Sequence, residues 1–204
     1  LVSTEEFSLD TDRQANLIRP LYFGLLDDSQ TTFARKRLIE ALEHYDWRLG
    51  TGFLSTPFIL DVLEQYDMDA AYRVLENEKM PGWLFMAKSG ANTIWEAWEG
   101  TSAQEGIASL DHYSKGACCE WVFREMCGIH VDGNNHFVIA PHPGGHFTYA
   151  ATSYESVFGT VKSGWEKKED KTFVYRIEIP ANTSADVKLP DGREQTIPAG
   201  KYEF

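Results

Sequence analysis

The chain has 204 residues, 43% of them hydrophobic, with 31 acidic against 19 basic side chains and a formal charge of −12. That length supports one medium domain or one and a half small ones around a real core. The charge argues against nucleic acid, whose binders need a basic face to displace counterions, and no apolar run reaches the roughly 18–20 residues of a membrane span.

Leu1-Val2-Ser3-Thr4-Glu5-Glu6-Phe7 carries neither an initiator Met nor a signal-peptide pattern, so it reads as a cut inside a longer chain and leaves the compartment open. Apolar residues then return every three or four positions. Thr11 or Asp12 is expected to cap a first helix through Ala15, Ile18, Leu21, Tyr22 and Leu25, kinked or divided at Pro20. Ser29 to Thr32 opens a second, burying Phe33, Leu38, Ala41, Leu42 and Tyr45. Pro57 suits the first turn of a third, from Phe58 to Tyr66, and a fourth runs from Met68 to about Glu78.

From Met80 to Ser109 the period is lost, as in a long loop laid over a scaffold, and function is expected there. A further helix spans about Leu110 to Met126, with Tyr113, Ala117, Trp121 and Val122 as its stripe and Gly128 at its C-cap. Cys118, Cys119 and Cys127 lie in or beside it and read as buried or half-buried free thiols, since adjacent helical residues point apart.

After His130 the chain changes to short alternating runs between Gly-containing turns. Candidate strands are His136 to Ala140, Phe147 to Ser153, Gly159 to Trp165, Thr172 to Ile179, Ser184 to Leu189 and Lys201 to Phe204. With no helix between them, they indicate an all-β sandwich or partial barrel. The organisation is therefore helices first, at 1–130, and β structure second, at 131–204.

Three of the six tryptophans, Trp83, Trp95 and Trp98, fall around Glu96. An aromatic face covers the C–H side of a pyranose while carboxylates and amides bind its hydroxyls, so this loop suits a sugar. The same tryptophans serve equally as core anchors. Glu96 in a partly desolvated pocket would be a good base, or else a surface or helix-start acid. Glu99, Glu105 and Asp111 are nearby acids, the first two set among Gly, Ser and Thr as solvated residues are. His112 either caps its helix or turns to a sugar hydroxyl. His136, His142 and His146 surround a β segment with no acidic partner in register, which gives no metal site. Phosphate loops and a GxSxG nucleophile elbow are absent.

The succession Thr51-Gly52-Phe53-Leu54-Ser55-Thr56-Pro57, Pro81-Gly82-Trp83, Thr93-Ile94-Trp95-Glu96-Ala97-Trp98, Asp111-His112-Tyr113, Glu120-Trp121 and His136-Phe137-Val138-Ile139-Ala140-Pro141 resembles the bacterial α-L-rhamnosidases of glycoside hydrolase family 78 over nearly the whole chain. The resemblance implies the second half of a six-hairpin (α/α) barrel followed by an antiparallel β-sandwich. It also implies an inverting hydrolase releasing terminal α-L-rhamnose, with Glu96 as general base, His112 lining the rhamnose pocket and Trp83 and Trp95 near it; the aromatic-loop reading adds Trp98 to the substrate-binding set, and no cofactor or metal is expected. The general acid would precede Leu1 in a missing N-terminal half of the same polypeptide, so the fragment alone would be inactive and would tend to pair with another copy. The pattern departs from the family at Ala97, where Arg is common, at Asp111, where Asn is common, and at Leu84-Phe85, where Gly-Tyr is usual. The alternatives are a non-catalytic carbohydrate-binding or structural relative, and a helical-barrel hydrolase of another sugar.

Overall fold

In the computed structural model, which describes residues 13–103, 108–133 and 135–204, α1 (Gln14–Tyr22) starts at Arg13 with no side-chain cap and keeps Pro20 inside it. The expected caps Thr11 and Asp12 lie outside the described residues. A buried polar contact ties α1 instead. Gln14 is fully buried, donates to the Arg48 carbonyl at 2.8 Å and accepts from Gly50 N–H at 2.8 Å, which leaves its amide satisfied.

The second helix, α2 (Asp28–His44), is capped reciprocally: Asp27 accepts from the Gln30 backbone while the Gln30 side chain accepts from Asp27 N–H. Its buried stripe is Ala34, Leu38, Ala41 and Leu42. Phe33 and Tyr45, expected inside, are each 40% exposed, because the buried face at i, i+4, i+7 and i+8 begins one position later than the sequence suggested. A 3₁₀ turn, Thr56–Phe58, places Pro57 at its start and leads into α3 (Ile59–Glu64). Asp67 caps α4 (Met68–Leu75) through Ala70 N–H. α1 packs on α2 and α3, and α3 on α4. Leu17, Ile18, Leu38, Leu42, Ile59 and Leu63 are fully buried there, each contributing about 1.5–3 kcal/mol by leaving water.

The expected loop contains α5 (Trp83–Lys88) and a 3₁₀ turn at Gly100–Ser102. Beyond it, the single helix expected to Met126 is three pieces: α6 (Tyr113–Gly116), α7 (Cys118–Trp121) and a π-turn at Val122–Met126. Tyr113 is 76% exposed, so it leaves the predicted stripe, whereas Trp121 is 1% exposed. The three cysteines are free thiols; Cys118 and Cys127 are buried and Cys119 is exposed.

By its contacts the chain divides into two compact units, Leu1–Cys118 and Cys119–Phe204. The second is built on a six-stranded mixed sheet: β1 (Ile129–Val131), β2 (His136–Ile139), β3 (Tyr149–Ser156), β4 (Gly159–Lys167), β5 (Phe173–Lys188) and β6 (Glu194–Glu203). All pairings are antiparallel except one, since β2 runs parallel to the second half of β5. The two strands expected on either side of Pro180 are one long strand. Its register shifts between Ile179 and Ser184, where Pro180 has no N–H to give and Asn182 adopts φ 61°. At that irregularity β5 exchanges its partner β4 for β2, while β6 pairs with both halves.

One face of the sheet is buried through Phe137, Ile139, Val161, Trp165, Tyr175, Ile177, Ala185 and Val187. The π-turn is tied to it by hydrogen bonds from Trp165 Nε1 to the Met126 carbonyl, 2.8 Å, and from Ser163 Oγ to the Cys127 carbonyl, 2.6 Å. Gly128 follows with φ 79°, and a Cβ there would lie 2.2 Å from Pro141 N, so no other residue fits this crossing. Among the described residues no helix is long and apolar enough to cross a membrane.

Candidate active site

Glu96 is held by a second stretch of loop that runs against its own. Its N–H donates to the Ser109 carbonyl at 2.9 Å, and His112 N–H donates to the Ile94 carbonyl at 2.8 Å. Ser109 N–H returns a hydrogen bond to Glu96 Oε2 at 2.8 Å, and Thr93 Oγ1 closes the ladder on the Leu110 carbonyl. Ser109 is itself fixed, because its hydroxyl donates to the Asp111 carbonyl at 2.9 Å and accepts from Asp111 N–H at 3.1 Å. One carboxylate oxygen of Glu96 is thus committed to the backbone, and the other, Oε1, faces His112 Nε2 at 3.9 Å. The Glu96 side chain is 40% exposed and that of His112 is 14% exposed.

His112 does both things the sequence left open. It caps α6, with Nδ1 accepting from Ser114 N–H at 3.3 Å. An accepting Nδ1 puts the proton of the neutral ring on Nε2, the nitrogen that faces Glu96. The ring lies between Phe53, edge-on at 5.4 Å, and Tyr113, stacked at 5.1 Å. Ser114 Oγ bonds the Phe53 carbonyl and holds the two segments together. Phe53 and Tyr113 are exposed aromatics flanking the His112 ring, and neither carries a predicted role: Phe53 belongs to an interhelix phrase, and Tyr113 falls on an expected buried stripe.

The tryptophans sit at different depths. Trp83 is 5% exposed and its Nε1 donates to the Lys115 carbonyl at 2.9 Å. Trp95 is 8% exposed and lies on Gly100, where a Cβ would come within 2.3 Å of its ring. Both are packed side chains. Trp98 is half-buried and carries Lys115 Nζ 4.2 Å from its ring centroid. Lys115, which the sequence reading passed over, is buried. Burial pushes the pKa of its ammonium down, opposed by the negative charges of Glu96 and then Glu99. A lysine three residues after His112 on a short helix was the available signal, since that spacing returns to the same face. Glu99 and Asp111 are exposed, and Glu105 lies outside the described residues.

In the sheet unit two histidines do have acidic neighbours, contrary to expectation: His136 Nε2 lies 3.3 Å from Asp186 Oδ2 and His142 Nδ1 lies 3.2 Å from Glu125 Oε2. Strand pairing and the π-turn bring together residues 17 to 50 positions apart, which no sequence register shows. Among the described residues no three of His, Cys, Asp or Glu are grouped to hold a metal ion.

Residues 1–126 match the model of the bacterial alpha-L-rhamnosidase 6 hairpin glycosidase domain, and residues 130–203 that of the bacterial alpha-L-rhamnosidase C-terminal domain. The chain is 33% identical over 202 residues to an alpha-L-rhamnosidase of Formosa agariphila, covering 95% of this chain and 22% of that protein. It resembles the crystal structure of native α-L-rhamnosidase from Aspergillus terreus, with TM-score 0.88 and 28% identity, over 100% of this chain and 25% of that one. The Streptomyces avermitilis alpha-L-rhamnosidase complexed with L-rhamnose matches with TM-score 0.87 and 29% identity, over 100% of this chain and 22% of that one. The chain therefore spans about a quarter or less of the length of each relative.

Proposed function

The chain belongs to the bacterial α-L-rhamnosidase family, and from that premise we propose that it carries the general-base half of an inverting glycosidase that releases terminal α-L-rhamnose. The observation that supports this most directly is the state of Glu96: Oε2 is occupied by Ser109 N–H, while Oε1 faces His112 Nε2 across a 3.9 Å gap. A carboxylate fixed by one oxygen presents the other to a water in a set direction.

In the proposed step, Glu96 Oε1 takes a proton from water as the water oxygen bonds to the anomeric carbon. The glycosidic C–O bond breaks on the opposite face, and the leaving oxygen receives its proton from a separate carboxylic acid. We place that acid outside these 204 residues, in the remainder of the polypeptide. His112 Nε2–H is assigned to a sugar hydroxyl, and Trp98 with the exposed Phe53 and Tyr113 to the walls of the site. Trp83 and Trp95 support those walls through their packing.

The same reading takes the helical unit as the second half of a six-hairpin barrel, places the domain boundary at 1–130 and 131–204, and takes the sheet, turned at the Pro180 irregularity, as the C-terminal sandwich. The complex of the Streptomyces relative with L-rhamnose supports the choice of sugar.

Replacing Glu96 by Gln in the full-length protein tests the proposal. It removes the base and retains the Ser109 contact through the amide oxygen, so turnover of an aryl α-L-rhamnoside is expected to fall by about 10²–10⁴. Near-normal turnover sinks the assignment.

A further inference from the structure

The general-base reading leaves Lys115 without a task, although its position is specific. It is 7% exposed, and among the described residues its ammonium forms no ion pair or hydrogen bond; its close neighbour is the face of Trp98, 4.2 Å from the ring centroid. Burying a cation costs free energy that a carboxylate in contact would offset. Here the carboxylates that act on it, Glu96 and Glu99, do so at longer range. The stem is nevertheless rigidly launched. Its backbone lies in α6, capped by His112, and its carbonyl is held by Trp83 Nε1 at 2.9 Å.

We propose that Lys115 is a substrate-positioning residue of the Glu96 site, donating hydrogen bonds from its ammonium to hydroxyl oxygens of the bound sugar. Three N–H donors unspent on acceptors among the described residues, beside an aromatic face and a general base, are what a polyhydroxylated ring needs for orientation. The cation–π contact keeps the ammonium on Trp98 and away from Glu96, so it does not occupy the oxygen that must receive the proton from water. His112 and Lys115 then act as a pair of donors three residues apart on one helical turn, with Glu96 and Glu99 the acidic groups facing them. This inference rests on the reading of Glu96 as the base.

The test uses the full-length protein with two variants, Lys115→Met, which keeps the length of the stem and removes the cation, and Lys115→Arg, which keeps a cation. L-Rhamnose is the probe in titration calorimetry, and an aryl α-L-rhamnoside in kinetics. Lys115→Met is expected to weaken L-rhamnose binding and to lower kcat/KM, each by about tenfold, and Lys115→Arg to recover binding to within about threefold of the parent. A merely structural lysine would change the melting temperature without this order of affinities. Unchanged L-rhamnose affinity in the Met variant overturns the inference. If Lys115→Met shows no melting transition, Lys115→Gln replaces it and is judged on the same affinity. A Glu96→Gln protein with normal turnover, alongside a Met variant with weakened binding, overturns the general-base reading and leaves Lys115 as a sugar donor.

Discussion

Glu96 Oε1 and His112 Nε2 stand 3.9 Å apart, too far for a direct hydrogen bond and close enough for one oxygen atom to bridge them. The gap is set by backbone, since the ladder between residues 94–96 and 109–112 and the cap on Ser114 N–H fix both side chains before any ligand arrives. A carboxylate acceptor and an imidazole donor facing one another across it can hold a water or a sugar hydroxyl in a defined orientation.

The two roles of His112 can be separated by His112→Asn. Asparagine is a strong helix N-cap, so the start of α6 should persist and the melting temperature should stay close to that of the parent. The Nε2 donor is lost, and kcat/KM for an aryl α-L-rhamnoside is expected to fall by about tenfold or more. Parent-like kinetics in a stable Asn variant would reduce His112 to a cap.

Gly100→Ala probes the wall behind the carboxylate. Gly100 has φ 57°, and a Cβ would lie 2.3 Å from Trp95 Cε3. The left-handed backbone and the overlap together should destabilise the chain by about 2–4 kcal/mol, seen as a lower denaturant midpoint. Because Trp95 adjoins Glu96 in the chain, activity should decline with it. An unaltered midpoint would contradict the packing of Trp95 on this glycine.

The sheet unit should lose stability on acidification. Burial pushes the Glu125 carboxyl up, but the His142 hydrogen bond and the charges of Arg124, His130 and His142 outweigh it, so the net shift is downward. His130 is also shifted down, chiefly by burial, against the pull of Glu125. Both groups bind fewer protons folded than unfolded, so each contributes stability that is complete above its unfolded value and lost as pH falls toward the folded one. The loss should begin below the ordinary His value of 6.5 and continue below the ordinary Glu value of 4.5. Melting between pH 7.5 and 4 measures it. Glu125→Gln should flatten the lower part of the curve, and a Gln variant with the parent's acid dependence would assign the effect elsewhere.

The helical unit should self-associate when expressed as these 204 residues. Tyr22, Phe23 and Leu25 are 39%, 58% and 71% exposed, Tyr22 stacks on Phe58 at 4.1 Å, and Leu54 is 62% exposed. Apolar surface of this kind favours burial against another chain. Light scattering after gel filtration is expected to show dimers or larger species. A stable monomer across a wide concentration range would contradict it.

Some of this was legible without coordinates. Amphipathic spacing located α2, α3 and α4, and Gly-punctuated alternation located β2, β3 and β4, because those signals are local and set by 3.6- and 2-residue periods. The order of short phrases around Trp83, Glu96 and His112 marked the family, which the matches to residues 1–126 and 130–203 confirm. Element boundaries were less accessible. The segment around Pro180 reads as a break, yet a bulge absorbs it because β2 offers a new partner on the far side of the irregularity.

By itself, then, the sequence determined that Glu96 sits in an aromatic stretch between helical segments, since residue identity and periodicity are properties of the chain. Tertiary structure decided what that loop does with its side chains. It buried Trp83 and Trp95, left Phe53 and Tyr113 exposed, and aimed His112 Nε2 at Glu96. It also set an ammonium from Lys115 on Trp98. The physical reason is that these relationships rest on hydrogen bonds and packing between residues 13 to 61 positions apart, from Glu96–Ser109 to Phe53–Ser114, and neither has a period that a sequence can display.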